Sequence, residues 1–376
     1  MRRAAAIALA ALALGCFPAR RGDDARPTAA AARLGVRVAL GVVPRGQQPP
    51  RVDPSGDAAV SFAGRRYRGR FRIVATDAGS LVVNELPLED YLLGVLPLEL
   101  GERPAAERAA LEAQAIAARS FAVTRLLASR AGRGRSADFD LLATVADQVY
   151  GGMDVERPNA SAAVRATAGL VLRYGDRVIV APYHSSCGGE TAAASEAWSG
   201  GDEPYLQRVS DKIPGSERYY CDIAPRFAWE RTLSGPDLNT VVQRYLRSYA
   251  AVPREGPGAV RAVRVVSRTA SGRANVVEFR TARGTYDIRG NDARSVLRTT
   301  GGELLPSSYF SVEVEVSRDG ELTRIVLRGN GYGHGVGLCQ WGAIGRARAG
   351  QGARAILQTY FPGTTVGPIP SALLVQ

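Results

Sequence analysis

The chain has 376 residues, 45% of them hydrophobic and 22% charged, which is enough apolar material for one large or two moderate domains and excludes a wholly disordered protein. Its 48 Lys and Arg against 36 Asp and Glu give a net charge of +12, which favours an acidic partner such as nucleic acid, anionic lipid or a carboxylate-bearing polymer. Much of the surplus precedes residue 34, so charge alone does not select among these partners.

The first residues predict export from the cell. Met1-Arg2-Arg3 is a basic start, and the apolar run from Ala4 to Gly15 is shorter than the about 20 residues of a membrane span. This pattern is typical of a signal peptide, which we place at residues 1–16. Gly15-Cys16 resembles a bacterial lipoprotein processing site, so we expect a lipid on Cys16 to anchor the mature chain in the membrane. The alternative is that Cys16 is removed with the signal.

The next elements are strands followed by helices. Residues 17–34 lack periodicity and are predicted to be a flexible linker. Alternating polar and apolar side chains then predict a β-rich region over residues 35–85. A helix from Leu88 is expected to break at Pro97, and a long Ala-rich helix follows from Pro104 to about Leu127.

The second half of the chain mixes both kinds of element. A helix is predicted over residues 160–171, a strand over 177–182, a strand-rich segment over 259–328 and a short closing helix over 350–360. The fold class is therefore α+β, with a β-rich N-terminal part, a helical centre and a strand-rich C-terminal part.

Two segments are candidates for chemistry because each holds one of the two histidines. His184 lies in Tyr-His-Ser-Ser-Cys-Gly-Gly-Glu-Thr, and His334 lies in a glycine-rich run from Gly331 to Ala343. Glycines at this density indicate backbone in close approach to a ligand or to another segment, or a tight turn. Several motifs are absent: the hydrolase elbow, a phosphate-binding loop, His-Glu-x-x-His and Cys-x-x-Cys. No nucleic-acid-binding module is recognisable, so we expect no nucleic-acid partner.

Several blocks together resemble one protein family. They are Leu86 to Leu100, Ala110 to Ala122, Asp147 to Gly152, His184 to Thr191 with Trp198, and Gly331 to Ala343. In this order they are similar to the SpoIID/LytB family, whose members include sporulation-associated lytic transglycosylases and enhancers of a cell-wall amidase. The resemblance covers roughly residues 80 to 365 and implies a catalytic domain over 86–365.

The resemblance implies that Glu99 is the catalytic acid and base. Glu99 is flanked by Leu98 and Leu100, and an apolar environment raises the pKa of a carboxyl group, as a glycosidic general acid requires. The alternative is an ordinary carboxylate near a helix boundary. Within the family blocks, our candidates for binding the sugar are six residues: Gln114, Arg119, Gln148, Tyr150, His334 and Gln340. Arg119 has the alternative of an ordinary solvated helix position, and His334 that of positioning Glu99.

Export also bears on the cysteines, because an oxidising compartment permits a disulfide. Some family members bind zinc near the His-Ser-x-Cys segment, which implies His184, Cys187 and Cys221 as ligands here, with Asp222 or Glu217 as the fourth. We favour instead a disulfide between Cys187 and Cys221, and we expect Cys339 to be a small buried residue. No cofactor is required in this interpretation, and zinc would be structural.

The predicted protein is an exported lytic transglycosylase of the cell envelope. It would cut the bond between N-acetylmuramic acid and N-acetylglucosamine in peptide-free glycan strands and leave 1,6-anhydro ends. The alternative is a non-catalytic cell-wall protein that enhances an N-acetylmuramoyl-L-alanine amidase. The expected partners are glycan strands, an amidase in the second case, and the membrane through lipidated Cys16.

Overall fold

The computed structural model describes residues 34–50 and 59–373. The predicted signal peptide, Cys16 and all of the predicted linker except Leu34 lie outside the described residues. Within the described ranges, no helix combines the length and the apolar character needed to cross a bilayer.

The fold is α+β, as predicted. The α-helices of the described residues are α1 (Leu88–Glu99), α2 (Arg108–Arg130), α3 (Pro158–Ala166), α4 (Ala194–Ala197), α5 (Gly235–Tyr245), α6 (Gly290–Val296), α7 (Gln340–Arg348) and α8 (Ala353–Tyr360). The strands up to the middle of the chain are β1 (Gly35–Pro44), β2 (Val60–Phe62), β3 (Arg65–Tyr67), β4 (Arg70–Thr76), β5 (Gly79–Pro87), β6 (Leu141–Leu142), β7 (Leu170–Tyr174), β8 (Arg177–Val178) and β9 (Tyr183–His184). The remaining strands are β10 (Ala228–Ser234), β11 (Val260–Arg268), β12 (Ala274–Thr281), β13 (Gly284–Arg289), β14 (Phe310–Val316), β15 (Leu322–Asn330), β16 (Leu338–Cys339) and β17 (Thr365–Pro368).

The main core is built around α2. Its alanines leave room for close packing, and the helix contacts α1, α3, α7 and α8. A sheet of order β4-β5-β1-β6 packs against the same core, in which strands β4, β5 and β1 pair antiparallel. The N-terminal strands and the helices therefore share one core, and the boundary that we predicted between residues 85 and 86 does not separate two cores.

A second core belongs to an insertion at residues 228–330. It is formed by β10 to β15 with α5 and α6, and it interrupts the main core between Phe227 and Val336. The predicted strand-rich segment 259–328 lies within this insertion.

Several element boundaries differ from the sequence prediction. The strand predicted over 177–182 is limited to β8 (Arg177–Val178), and α2, α3 and α8 begin two to four residues away from their predicted starts. Two helix ends differ for a clear physical reason. Helix α1 passes Pro97 and ends at Glu99, because a proline in the last turn removes only its own hydrogen bond; the amides of Leu100 and Gly101 still bond to the carbonyls of Leu96 and Pro97. The helix predicted over 160–171 ends at Ala166, because Gly169 adopts a φ of 70° that turns the chain into β7.

After the insertion, the chain leads directly into the glycine-rich segment that holds His334. Strand β16 pairs parallel with β9, so that Leu338 lies beside Tyr183 and Cys339 beside His184. This pairing brings together the two histidine segments, which lie far apart in the sequence.

Candidate active site

A cleft of about 620 Å³ contains Glu99. Glu99 is the last residue of α1, and the cleft is closed on the other sides by the loop after β6, by β9 and by the glycine-rich segment. Its lining includes the side chains of Glu99, Arg125, Asp147, Tyr183, His184, Trp198, Tyr332, His334 and Gln340. Of the sequence-predicted site residues, Glu99, His334 and Gln340 line this cleft.

The Glu99 carboxylate contacts one backbone amide and two side chains. Its Oε1 accepts a 3.0 Å hydrogen bond from the backbone amide of Val149, and Tyr183 and Gln340 lie against it and favour its charged form. Burial has the larger effect and raises the pKa of Glu99 above the ordinary value of a glutamate. The position at the C-terminal end of a helix acts in the same direction, because that end carries partial negative charge. Glu99 is therefore suited to hold a proton.

A chain of buried hydrogen bonds orients Tyr183 behind Glu99. The Tyr91 hydroxyl donates to Gln148 Oε1 over 3.2 Å, and Gln148 Nε2 donates to the Tyr183 hydroxyl oxygen over 3.0 Å. The Tyr183 oxygen is thus occupied as an acceptor, and the hydroxyl lies against Glu99. Gln148 is 1% exposed and acts behind the cleft wall, so it positions Tyr183 and does not reach a sugar in the cleft.

Asp147 is the other carboxylate among the described residues that line the cleft. Its Oδ1 lies 3.1 Å from Nε of Arg125, and its Oδ2 accepts a 2.9 Å hydrogen bond from the backbone amide of Leu142. Arg135 Nη1 approaches Oδ2 to 3.5 Å. Asp147 is thus held by two arginines, although its buried Oδ1 makes no hydrogen bond, and Glu99 is the one carboxylate of this described lining that forms no salt bridge.

His334 joins two walls of the cleft and has no nitrogen free for proton transfer. Its Nδ1 accepts the amide hydrogen of Val336 over 3.0 Å, so the ring proton lies on Nε2, which donates to the Tyr183 carbonyl over 2.9 Å. Burial, together with the charge of Arg294, lowers the pKa of His334 to about 4. The neutral ring faces Trp198, with their centroids 5.0 Å apart.

His184 has one unused nitrogen. Its Nδ1 donates to the Val336 carbonyl over 3.1 Å, while the buried Nε2 has no hydrogen-bond partner among the described residues. Burial lowers the pKa of His184 well below the usual value, so Nε2 carries a lone pair and can accept a hydrogen bond from a ligand hydroxyl.

Besides Gln148, three more of the sequence-predicted sugar contacts lie outside the cleft. Arg119 is fully buried and forms a bidentate ion pair with Glu89, with both N–O distances at 2.8 Å, which joins α2 to α1. Tyr150 is buried and donates to Asn84 Oδ1 over 3.0 Å. Gln114 is fully buried inside the helical core. The prediction that these three residues contact the sugar does not hold for this cleft.

Sequence reasoning missed Tyr183, Trp198 and Tyr332 as site residues. Tyr183 and Trp198 lie in segments that the family resemblance had already selected, and Tyr332 lies within the glycine-rich run. Their neighbouring histidines were the available signal, because the pairing of β9 with β16 places all of them around one cleft.

The cysteines differ from both sequence expectations. Cys187 and Cys221 are free thiols whose Sγ atoms lie 3.4 Å apart, beyond the about 2.05 Å of a disulfide, so the favoured disulfide is absent from this structure. His184 is bonded to backbone and stands outside the group of possible metal ligands, which comprises Cys187, Cys221, Cys339 and Asp211. The carboxylates expected as the fourth ligand pair elsewhere: Asp222 with Arg218 and Glu217 with Lys212.

Comparisons with known proteins agree with this architecture. Residues 76–174, which carry Glu99 and Val149, match the model of the stage II sporulation protein family SpoIID. Residues 216–337, which span the insertion, match a domain of unknown function (DUF8618).

Three relatives illustrate how much of each chain the similarity covers. An uncharacterized protein of Brachyspira hyodysenteriae is 31% identical over 81% of this chain and 73% of its own. Stage II sporulation protein D of Bacillus amyloliquefaciens is 27% identical over 77% of each chain. The amidase enhancer of Bacillus subtilis is 30% identical over 73% of this chain. That protein is longer, and the match covers only 40% of it. The chain belongs to the SpoIID/LytB family.

Proposed function

We propose that this protein is a peptidoglycan lytic transglycosylase that acts at the bond between N-acetylmuramic acid and N-acetylglucosamine. Membership of the SpoIID/LytB family and the relative named amidase enhancer support a function at the cell wall. The predicted signal peptide agrees with that location. The observation that carries the proposal is Glu99: a half-buried carboxyl group whose pKa is raised by burial, with no second carboxylate free of salt bridges beside it in the described cleft lining.

The chemistry needs one group that gives and then takes a proton. Protonated Glu99 donates its proton to the glycosidic oxygen as the bond from that oxygen to C1 of N-acetylmuramic acid breaks. The resulting carboxylate then accepts the proton of the C6 hydroxyl of the same sugar, and the C6 oxygen bonds to C1. The products are a free hydroxyl on the leaving sugar and a 1,6-anhydro ring, and Glu99 ends protonated as it began.

The described cleft lining offers no second carboxylate free of salt bridges, which argues against ordinary hydrolysis. Glycosidases generally use two carboxyl groups, one as acid and the other as nucleophile or as base for a water. Asp147 is the candidate for the second role, but its side chain is 1% exposed, paired with Arg125 and Arg135, and bonded to the Leu142 amide. An intramolecular attack by the sugar needs no such group.

The walls of the cleft fit a sugar chain. Trp198 is 38% exposed, and Val145 and Val180 are also exposed apolar residues of the lining, so that a sugar ring would cover surface that otherwise faces water. The unused Nε2 of His184 is an acceptor for one sugar hydroxyl. The chain's charge of +12 favours the lactyl carboxylates of peptide-free glycan, and this attraction should weaken in high salt.

The test is digestion of peptide-free glycan strands by the chain from residue 17 onward, followed by mass spectrometry. We expect anhydro-ended fragments from the wild type and none from Glu99→Gln. Glu112→Gln is the matched control, because Glu112 pairs with Arg108 on the outer surface of α2 and should leave the products unchanged. Equal product formation by Glu99→Gln would reject the proposal.

The second candidate is enhancement of a cell-wall amidase, which the name of the Bacillus subtilis relative suggests. In that case wild type and Glu99→Gln would both leave glycan strands intact. Both would nevertheless bind the strands and raise the rate at which an N-acetylmuramoyl-L-alanine amidase releases peptides.

A further inference from the structure

A side chain of the insertion holds the segment that carries Trp198. Trp198 directly follows α4, and its indole lines the cleft. Arg289, the last residue of β13, donates from Nη2 to the carbonyl of Trp198 over 3.1 Å. The same Nη2 donates to the carbonyl of Ser195 over 3.0 Å, and Nη1 donates to Ser199 Oγ over 3.1 Å. One guanidinium of the insertion thus contacts residues 195–199 on both sides of Trp198.

A second element of the insertion reaches the same segment. Ser271, in the turn between β11 and β12, donates from its hydroxyl to the carboxylate of Glu196. Ser271 is 3% exposed, and its oxygen accepts a 2.9 Å hydrogen bond from Nη1 of Arg273. The Trp198 segment is therefore held from β13 and from the β11–β12 turn, at two separate points.

Arg273 extends the contact from the insertion to both histidine segments. It is buried, and its Nη2 donates to the carbonyls of Cys187 and Glu190, each over 2.8 Å, in the loop after β9. In the glycine-rich run, Gly335 follows His334 with a φ of 86°, and a Cβ there would lie 2.6 Å from Arg273 Nη2. The bare backbone of this glycine leaves the space that the guanidinium occupies.

We propose that the insertion at residues 228–330 positions the Trp198 face of the cleft for glycan, with Arg289 as the positioning residue. This inference rests on the proposed binding of glycan strands in the cleft. The planar guanidinium of arginine is suited to the role, because its donors have a fixed geometry and can bond two carbonyls at once. An indole that is held in place before binding spares the sugar part of the free energy needed to order it.

The surroundings of Trp198 show why it needs such a hold. Gly200 and Gly201 follow the segment, both exposed, and no atom lies within 4 Å of the position that a Cβ would take at either residue. Packing therefore does not fix the chain on this side. On the other side, the Trp198 ring lies 5.0 Å from that of His334, so a displaced indole would lose its contact with the cleft wall.

The effect of Arg289 should fall on binding and not on the chemical step. Glu99 contacts the Val149 amide, Tyr183 and Gln340, and none of these belongs to the insertion. Loss of Arg289 would therefore loosen one wall of the cleft and leave the proton-transfer group in place.

The test titrates peptide-free glycan strands into the chain from residue 17 onward, with Glu99→Gln in every protein so that the strands stay intact. Arg289→Met should raise Kd roughly two- to tenfold, the cost of ordering one side chain on binding. Arg289→Lys should recover part of the affinity. The matched control is Arg283→Met, because Arg283 also donates to backbone carbonyls, but to those of Glu255 and Gly256 within the insertion. Its Kd should not change.

A double variant tests whether Arg289 acts through Trp198. If it does, Arg289→Met combined with Trp198→Ala should bind no more weakly than Trp198→Ala alone, since the ring that Arg289 positions is already gone. Additive losses of affinity would overturn the proposal, because they would mean that Arg289 affects the glycan independently of Trp198.

Hydrogen exchange read by mass spectrometry gives a second readout that needs no ligand. Arg289→Met should speed amide exchange in residues 194–199, and Arg283→Met should leave it unchanged there. Unchanged exchange and Kd in Arg289→Met would overturn the proposal, as would faster exchange throughout α2, which would assign Arg289 to the whole fold. Neither readout requires cleavage, so a wild type that leaves glycan intact would reject the proposed enzyme activity without rejecting this inference.

Discussion

The backbone amide of Val149 donates a 3.0 Å hydrogen bond to Oε1 of Glu99, across 50 residues of sequence. This bond fixes the carboxyl group at the end of α1, where Tyr183 and Gln340 also lie against it. Because the donor is the backbone amide of Val149, this contact should survive a substitution at position 99 that keeps an oxygen acceptor. Glutamine retains an oxygen in the same place and is therefore a clean probe of the charge.

Glu99→Gln should stabilise the protein at alkaline pH. Burial raises the pKa of Glu99 in the folded state above its value in the unfolded chain, so the wild type loses stability as the pH rises through the folded value. Glutamine carries no charge and escapes this loss. We expect a higher melting temperature for the variant at pH about 8 and a smaller difference at pH about 4. A variant that melts below the wild type at alkaline pH would contradict the claim that folding raises the pKa of Glu99.

Tyr183→Phe should shift the pH dependence of activity. The Tyr183 hydroxyl favours the charged form of Glu99, so its removal should raise the pKa of Glu99 further. Because the acid step needs protonated Glu99, the alkaline limb of the kcat/KM profile should move to higher pH. Tyr249→Phe, at an exposed position, is the control. A lower rate with an unmoved limb would instead mean that Tyr183 acts on the sugar or on the fold.

Trp198→Ala should weaken glycan binding more than it slows the chemical step. Loss of the exposed indole face would remove about 1–2 kcal/mol of apolar burial against the sugar, equivalent to roughly a tenfold higher KM. Trp198→Phe should recover much of the affinity. The check is steady-state kinetics on glycan strands, and an unchanged KM in Trp198→Ala would exclude the ring from the binding surface.

Arg119→Met should destabilise the fold. It would leave Glu89 without the guanidinium that pairs with both of its oxygens, and the loss of one partner of a buried pair costs about 3–5 kcal/mol. Adding Glu89→Gln to Arg119→Met should recover part of the lost stability, since glutamine still accepts the Gly169 amide hydrogen. Urea unfolding measures both. If Arg119→Met kept its stability and raised KM, the sugar-binding role first expected for Arg119 would be restored.

Local sequence patterns predicted the positions of helices and strands better than they predicted which strands and side chains contact one another. Alternation and helical spacing located β1, α1 and α2 because each depends on residues close in sequence. The salt bridge from Arg119 to Glu89 joins positions 30 apart, and no local pattern distinguishes it from a solvent-exposed or sugar-binding arginine. The same patterns did not predict that residues 228–330 form a separate core, because this depends on which strands pair.

The site shows the same division. The histidine segments stood out by composition, and family resemblance selected Glu99. The bond from His334 to the Tyr183 carbonyl spans 151 residues, so the role of Tyr183 depends on the pairing of β9 with β16. Asp211 was missed as a neighbour of the cysteines because its position is set by Tyr360 and Arg346, which lie far along the chain.

The most direct test of the central claim is cleavage of peptide-free glycan in water labelled with heavy oxygen, with mass spectrometry of the new ends. Glu99 acting alone predicts 1,6-anhydro ends that are one water lighter than hydrolysed ends and carry no label. Labelled reducing ends would show that a water attacks C1, and they would contradict the single-carboxylate account even if Glu99→Gln were inactive.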